Sequence, residues 1–197
     1  ERSVTDAVQN SQGASDSEVV RAPIARVPHG VWLHNLRSGH NVGAIIRTAE
    51  YFGLARVILS GYTPGPEQRA VQAAAMGCEQ WIACERLDDL NLRTGDFAER
   101  LPADLSLIDL ESPESPELAG DPALRQRHVA LADFVWPERA LIVPGNEELG
   151  VPREILERAA AIVSIPGFGR KASLNVAAAF AIVAAAQRLQ VETRGDS

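Results

Sequence analysis

Cysteine is scarce in this sequence: Cys78 and Cys84 are the only two in 197 residues. Two thiols that close together make neither a zinc knuckle nor a disulfide framework, so both are expected to be reduced and structural. Histidine is thin as well, and His29, His34, His40 and His128 have no H-E-x-x-H spacing and no adjoining cluster of ligands, so no metal is expected. Lysine is nearly missing, since Lys171 is the single one among 19 basic residues. Cationic contacts therefore fall to arginine, whose planar fork suits bidentate phosphate recognition. No apolar run reaches the ~18 to 20 residues of a membrane span, and no secretory leader opens the chain, so a cytoplasmic protein with no membrane partner is expected. What is present is an ordinary globular composition, 46% hydrophobic and 23% charged, with a net charge of −7. The acidic balance argues against indiscriminate polyanion binding but leaves room for a local basic patch. A chain of this length is expected to form one domain and to bury roughly 70% of its extended surface.

Residues 1–27 mix Ser, Gln, Asp and Asn at no clear period and are expected to be a flexible N-terminal arm, with a single domain over 28–197. A strand over 31–36, a helix over 42–52 with Asn41 as its N-cap, and a strand over 55–60 follow with short joins. That succession is typical of a parallel α/β sheet. Further elements are expected as a short helix before Gly77, a strand over 80–84, a helix over 96–101 and a buried strand over 105–110. Residues 111–126, with Pro113, Pro116 and Pro122 among acidic residues, read as an exposed or partly helical excursion. Strands over 141–143 and 161–165, a helix over 152–159 and a long closing helix over 173–191 complete the pattern.

Three constellations sit at strand-to-helix junctions, where parallel sheets place their ligands. In the first, N-x-G-x-x-x-R-x-A over 41–49, Gly43 is four residues before Arg47 and leaves room beside the guanidinium. A capped amphipathic helix with an exposed arginine is the plain alternative. The second, G-x-E-x-x-G over 145–150, allows close backbone approach to a ligand and holds Glu147 at the sheet's mouth. Its alternative is a turn whose acids favour the next helix through its dipole. The third, over 165–176, contains Gly167-x-Gly169-x-x-Ala172, which fits the dinucleotide fingerprint locally. That fold needs a further strand carrying an acidic ribose ligand, and the 25 residues after Ala172 are mostly helix, so an NAD-dependent oxidoreductase is disfavoured. Ser173 reads as an N-cap of the last helix, while Asn175 is harder to explain as structure alone.

In this order and spacing the three constellations resemble the SpoU (TrmH) family of RNA ribose 2′-O-methyltransferases, within the SPOUT class. The match runs from about Leu33 to Ala186, and Gly167 departs from the family's usual Met. The resemblance implies a parallel sheet flanked by helices with a C-terminal deep trefoil knot, and a homodimer. It also implies S-adenosylmethionine as cofactor, lined by Gly145, Glu147, Ile165, Gly167 and Leu174. Arg47 takes the central catalytic position, with Asn41, Ser173, Asn175 and Glu147 in support. Candidates for contact with tRNA or rRNA are Arg37, Arg47, Arg170 and Lys171. The alternative within the same fold is a non-catalytic RNA-binding or cofactor-sensing module.

Overall fold

The computed structural model describes residues 25–171 and 173–195. The expected arm therefore lies outside the described residues except at its end, where the chain is already anchored. The Arg26 guanidinium donates to Leu54 O at 2.7 Å. The first strand, β1 (Val27–His34), starts four residues earlier than its alternation suggested, because the positions before Val31 pair with β2 (Leu54–Ser60). It ends at His34 because Asn35 turns the backbone to φ 56.

Between them lies α1 (Gly39–Tyr51), capped by Ser38, whose side chain accepts the Asn41 N–H at 3.3 Å. The expected cap, Asn41, is inside the helix, and its amide is thereby free for other partners. Gly43 also has a different job from the one its spacing suggested. A Cβ there would sit 2.7 Å from Ala74 Cβ and 2.9 Å from Ala75 N. Its bare Cα lets α1 lie directly on α2 (Arg69–Ala75); it makes no room for Arg47. The chain continues through β3 (Ala83–Leu87), α3 (Phe97–Arg100) and β4 (Ser106–Leu110). It then forms α4 (Pro116–Gly120), α5 (Pro122–Arg125), β5 (His128–Ala130), β6 (Ala140–Pro144), α6 (Arg153–Leu156), β7 (Ala161–Ser164) and α7 (Val176–Gly195).

The seven strands make one sheet in the order β3-β2-β1-β6-β4-β7-β5, and every described pairing is parallel. Alternation along each strand sends side chains to two cores. Val31, Leu33, Val57 and Ile142 pack with Ile45, Ile46, Val71, Phe180 and Val183 under α1, α2 and α7. Trp32, Ile58, Val143 and Ile162 pack with Phe97, Leu118, Leu124 and Ile155 under α3 to α6. Each such side chain contributes about 1.5–3 kcal/mol on burial. The late strands do not extend an edge: β6 enters between β1 and β4, and β7 between β4 and β5. Their carboxyl ends therefore meet the ends of β1 and β4 in the middle of the sheet, where the order of connection reverses and a crevice forms.

Polar groups within the core are placed with similar economy. Buried His29 accepts the Ala140 N–H at 3.0 Å on Nδ1. Burial, with Arg139 adding to it, pushes its pKa down to about 4, so the ring is neutral. Neither cysteine is in a disulfide; Cys78 is buried, and burial raises the Cys84 thiol to about 11. Among the described residues no group of His, Cys, Asp or Glu could hold a metal ion, and no helix is long and apolar enough to cross a membrane.

Candidate active site

A cavity of about 1000 Å³ opens at the carboxyl ends of β4, β6 and β7. Leu110, Pro144 and Val163 at the strand ends form part of its wall, together with Gly145, Glu147, Ile165, Gly167, Ser173, Leu174 and Asn175 from the turns that follow β6 and β7. The first turn is tight: Asn146 and Gly150 exchange backbone hydrogen bonds of 2.9 and 3.1 Å. A Cβ on Gly145 would lie 3.0 Å from the Gly150 backbone, so a side chain there would press the two ends of the turn apart.

The early helix reaches this turn through Asn41. Its Nδ2 donates to Glu147 Oε1 at 3.0 Å, and its Oδ1 accepts from Asn175 Nδ2 at 3.1 Å. One asparagine thus joins all three constellations. Glu147 also accepts the Arg37 N–H at 3.2 Å and the Ser38 N–H at 3.4 Å. Partial burial opposes its charge, but the Asn41 amide and the backbone donors outweigh that and hold the carboxyl below the usual glutamate range. Asn175 Oδ1 accepts the N–H groups of Ala177 and Ala178 at 3.0 and 3.2 Å. It is therefore the cap of α7, the role the sequence suggested for Ser173, which is exposed on the cavity wall.

The expected cofactor positions Gly145, Glu147, Ile165, Gly167 and Leu174 all line the one cavity, as do Ser173, Asn175, Arg170 and Lys171. Three expected residues do not. Asn41 stands behind the wall as a tie. Arg37 pairs with Glu148 instead of reaching into the space. Arg47 is exposed on α1, and its side chain makes no hydrogen bond or ion pair among the described residues. Six residues beyond Asn41, it lies about 9 Å along the helix and about 240° around it.

Two groups of residues escaped the sequence reading. Glu111, Ser112, Pro113 and Glu114 form another wall of the cavity. Their acidic, proline-rich character suggested an exposed excursion, yet a segment directly after a buried parallel strand has to start at the carboxyl edge. The second group knits the turns behind the cavity. Asn146 Nδ2 donates to Asn35 O and lies 3.0 Å from the Tyr62 hydroxyl. The Tyr62 N–H donates to Asn35 Oδ1 at 3.2 Å, which leaves the Asn35 amide nitrogen to donate to His34 Nε2 at 2.9 Å. His34 Nδ1 then carries the proton and donates to Ser60 Oγ at 2.8 Å, which also accepts Trp32 Nε1 at 2.7 Å. Burial lowers the His34 pKa against the opposing charge of Glu154, consistent with this neutral ring.

Residues 28–185 match the model of the SpoU rRNA Methylase family. The chain belongs to that family. Among its relatives, a protein of Archaeoglobus fulgidus named as an uncharacterized tRNA/rRNA methyltransferase is 31% identical over 157 residues, 77% of this chain and 60% of that one. The tRNA (guanosine(18)-2′-O)-methyltransferase of Aquifex aeolicus is 26% identical over 166 residues, 84% of this chain and 71% of that one. In structure, the AdoMet-bound rRNA methyltransferase from Sinorhizobium meliloti superimposes with a TM-score of 0.69 at 26% identity, covering 86% of this chain and 58% of that one. This SpoU chain thus spans about three fifths of the first relative and of that structure. The dinucleotide alternative fails on geometry: Glu192, at the spacing of the ribose ligand, sits on α7 and bonds Arg188 at 2.9 Å, and no strand follows α7 among the described residues.

Proposed function

We propose that this chain transfers a methyl group from S-adenosylmethionine to a ribose 2′-hydroxyl of tRNA or rRNA. The observation that carries this reading is the meeting of all three constellations on one cavity, with Asn41 bonded to both Glu147 and Asn175. The cavity fits the cofactor. Its turns bring bare backbone at Gly145 and Gly167 beside apolar Leu110, Val163, Ile165 and Leu174, which suits the edge and faces of an adenine. When bound, S-adenosylmethionine supplies a methyl on a sulfonium, whose carbon–sulfur bond breaks as the bond to the ribose oxygen forms.

The residues of the chain then orient, shield and stabilise. Glu147 positions rather than reacts, since its oxygens are committed to Asn41 and to the start of α1. Asn175 fixes the third turn and Asn41 holds it to the second. Ser173, exposed on the wall, is free to contact substrate. Arg47 offers a planar fork of donors and no acceptor, so it acts by anchoring a phosphate and stabilising the oxygen that loses its proton to solvent. Arg37, Arg170 and Lys171 supply further phosphate contacts, Arg37 by exchanging its pairing with Glu148.

Because Arg47 stands away from the cavity of its own chain, the working unit of this reading is a homodimer in which the arginine serves the site across the interface. Exposed Ile182 and Leu189 on α7 give that interface apolar surface. The entry of β6 and β7 between earlier strands, with α7 returning against α1, supports a C-terminal trefoil knot. The reading places the protein in the cytoplasm with its RNA. The test is transfer of labelled methyl from S-adenosylmethionine to RNA, followed by digestion to nucleosides. Label in 2′-O-methylribose is expected, and label confined to a base would refute it. Arg47→Ala is expected to abolish transfer while S-adenosylhomocysteine affinity stays within a few-fold. Near-normal turnover, or a monomeric mass at micromolar concentration, would remove the arginine's role or the dimer.

A further inference from the structure

Glu111, the first residue after β4, is a half-buried carboxylate on the cavity wall with no ion-pair partner among the described residues. Its position is fixed by backbone donors: Oε2 accepts Val151 N–H and Oε1 accepts Ser112 N–H, both at 2.8 Å. Gly150, at φ 68, lies against it, and a Cβ there would come 3.1 Å from the Glu111 carboxyl carbon. Two amides hold a carboxylate in place but do not neutralise it, and a charge withdrawn from water without a counter-ion is costly.

The surroundings make that cost larger. Two residues back, Asp109 is fully buried with neither oxygen hydrogen-bonded, and burial pushes its carboxyl well up, with the charge of Glu111 adding to this and Arg127 opposing it, so it offers Glu111 no counter-charge. Glu114 and Glu147 line the same cavity, and the cations on its wall, Arg170 and Lys171, are exposed and pair with none of these carboxylates. Burial pushes the Glu111 carboxyl up, the nearby charge of Glu117 adds to this, and the two backbone bonds only partly oppose it. A cationic ligand group beside Glu111 supplies the counter-charge that its two backbone donors do not.

We propose that Glu111 is the counter-ion for the cationic methionyl end of the methyl donor, and so the residue by which the cavity selects the charged donor over neutral adenosine derivatives. This inference rests on the proposed methyltransferase reading. Its test compares Glu111→Gln with the unaltered protein in titrations with S-adenosylmethionine and with 5′-methylthioadenosine, which keeps the adenosine and lacks the charged end. The substitution is expected to weaken S-adenosylmethionine binding by about ten-fold or more and to leave 5′-methylthioadenosine within about two-fold. Glu111→Asp, which keeps the charge, is expected to recover most of the lost preference. Equal weakening of both ligands would mean that Glu111 only braces the Gly150 turn, and no weakening of either would mean that it faces no ligand charge; each overturns the inference. Failure of the unaltered protein to bind either ligand would instead sink the methyltransferase reading itself.

Discussion

Replacing Glu147 by glutamine removes one charge while keeping the side chain's size, and its consequence can be worked from three contacts. The carboxylate accepts the Asn41 amide at 3.0 Å, the Arg37 N–H at 3.2 Å and the Ser38 N–H at 3.4 Å. A glutamine can accept with one oxygen only, and its own NH2 then confronts a donor. Hydrogen bonds to charged groups contribute about 1.5–3 kcal/mol when buried, but Glu147 is exposed, and solvent screening reduces the expected loss to about 1 kcal/mol. The pH dependence follows from the lowered folded-state pKa. The stabilisation is present above the ordinary glutamate pKa of about 4.3 and is lost as pH falls through the depressed folded value. Urea unfolding at pH 7 should therefore separate the two proteins by about 1 kcal/mol, and the gap should shrink as the pH is taken below about 4. A gap that is the same at both pH values would refute the assignment of Glu147 as an ionised clamp.

Two further substitutions probe the frame around that clamp. Gly43→Ala places a methyl against Ala74 and the Ala75 N–H, forcing α1 from α2 and costing about 1–3 kcal/mol by overpacking; an unchanged thermal midpoint would contradict it. Asn175→Ala removes the cap of α7 and the tie to Asn41 together and should cost about 1–2 kcal/mol. Ser173→Ala should stay within about 0.5 kcal/mol, and the reverse ranking in urea unfolding would restore Ser173 as the cap.

The elements that could be read from sequence are those whose information is local. Alternation in Val31-Trp32-Leu33 and the glycine after Phe52 place β1, α1 and β2 within a few residues of their positions. The five residues expected to line the cofactor share one cavity, because motif and local turn geometry coincide at Gly145. What escaped depends on neighbours that are distant in sequence. Ser38 and Asn41 are both good caps by type, and only the contact of Asn41 with Glu147 and Asn175, 106 and 134 residues away, decides which serves the helix and which the site. Gly43 likewise takes its meaning from α2, which no local spacing displays. The wall at 111–114 was hidden because proline and acid signal exposure, whereas its location is set by where β4 stops.

The distribution of charge reconciles an acidic protein with an RNA substrate on the proposed reading. Carboxylates gather where the donor enters: Glu111, Glu114 and Glu147 line the cavity, and two of them are held by amides rather than by cations. The cations open to a phosphate chain are Arg170 and Lys171 on the cavity's third turn and Arg47 on α1, all exposed and without an ion pair among the described residues. A net charge of −7 then repels nonspecific polyanion contact over most of the surface, while Arg170 and Lys171, joined in the proposed dimer by Arg47 of the other copy, admit a phosphate chain. The same division orders the chemistry. Negative groups beside the donor favour the positive sulfonium before transfer, and the sulfonium's share of that attraction is lost when the methyl leaves and the sulfur becomes neutral, while the ammonium of the methionyl end stays.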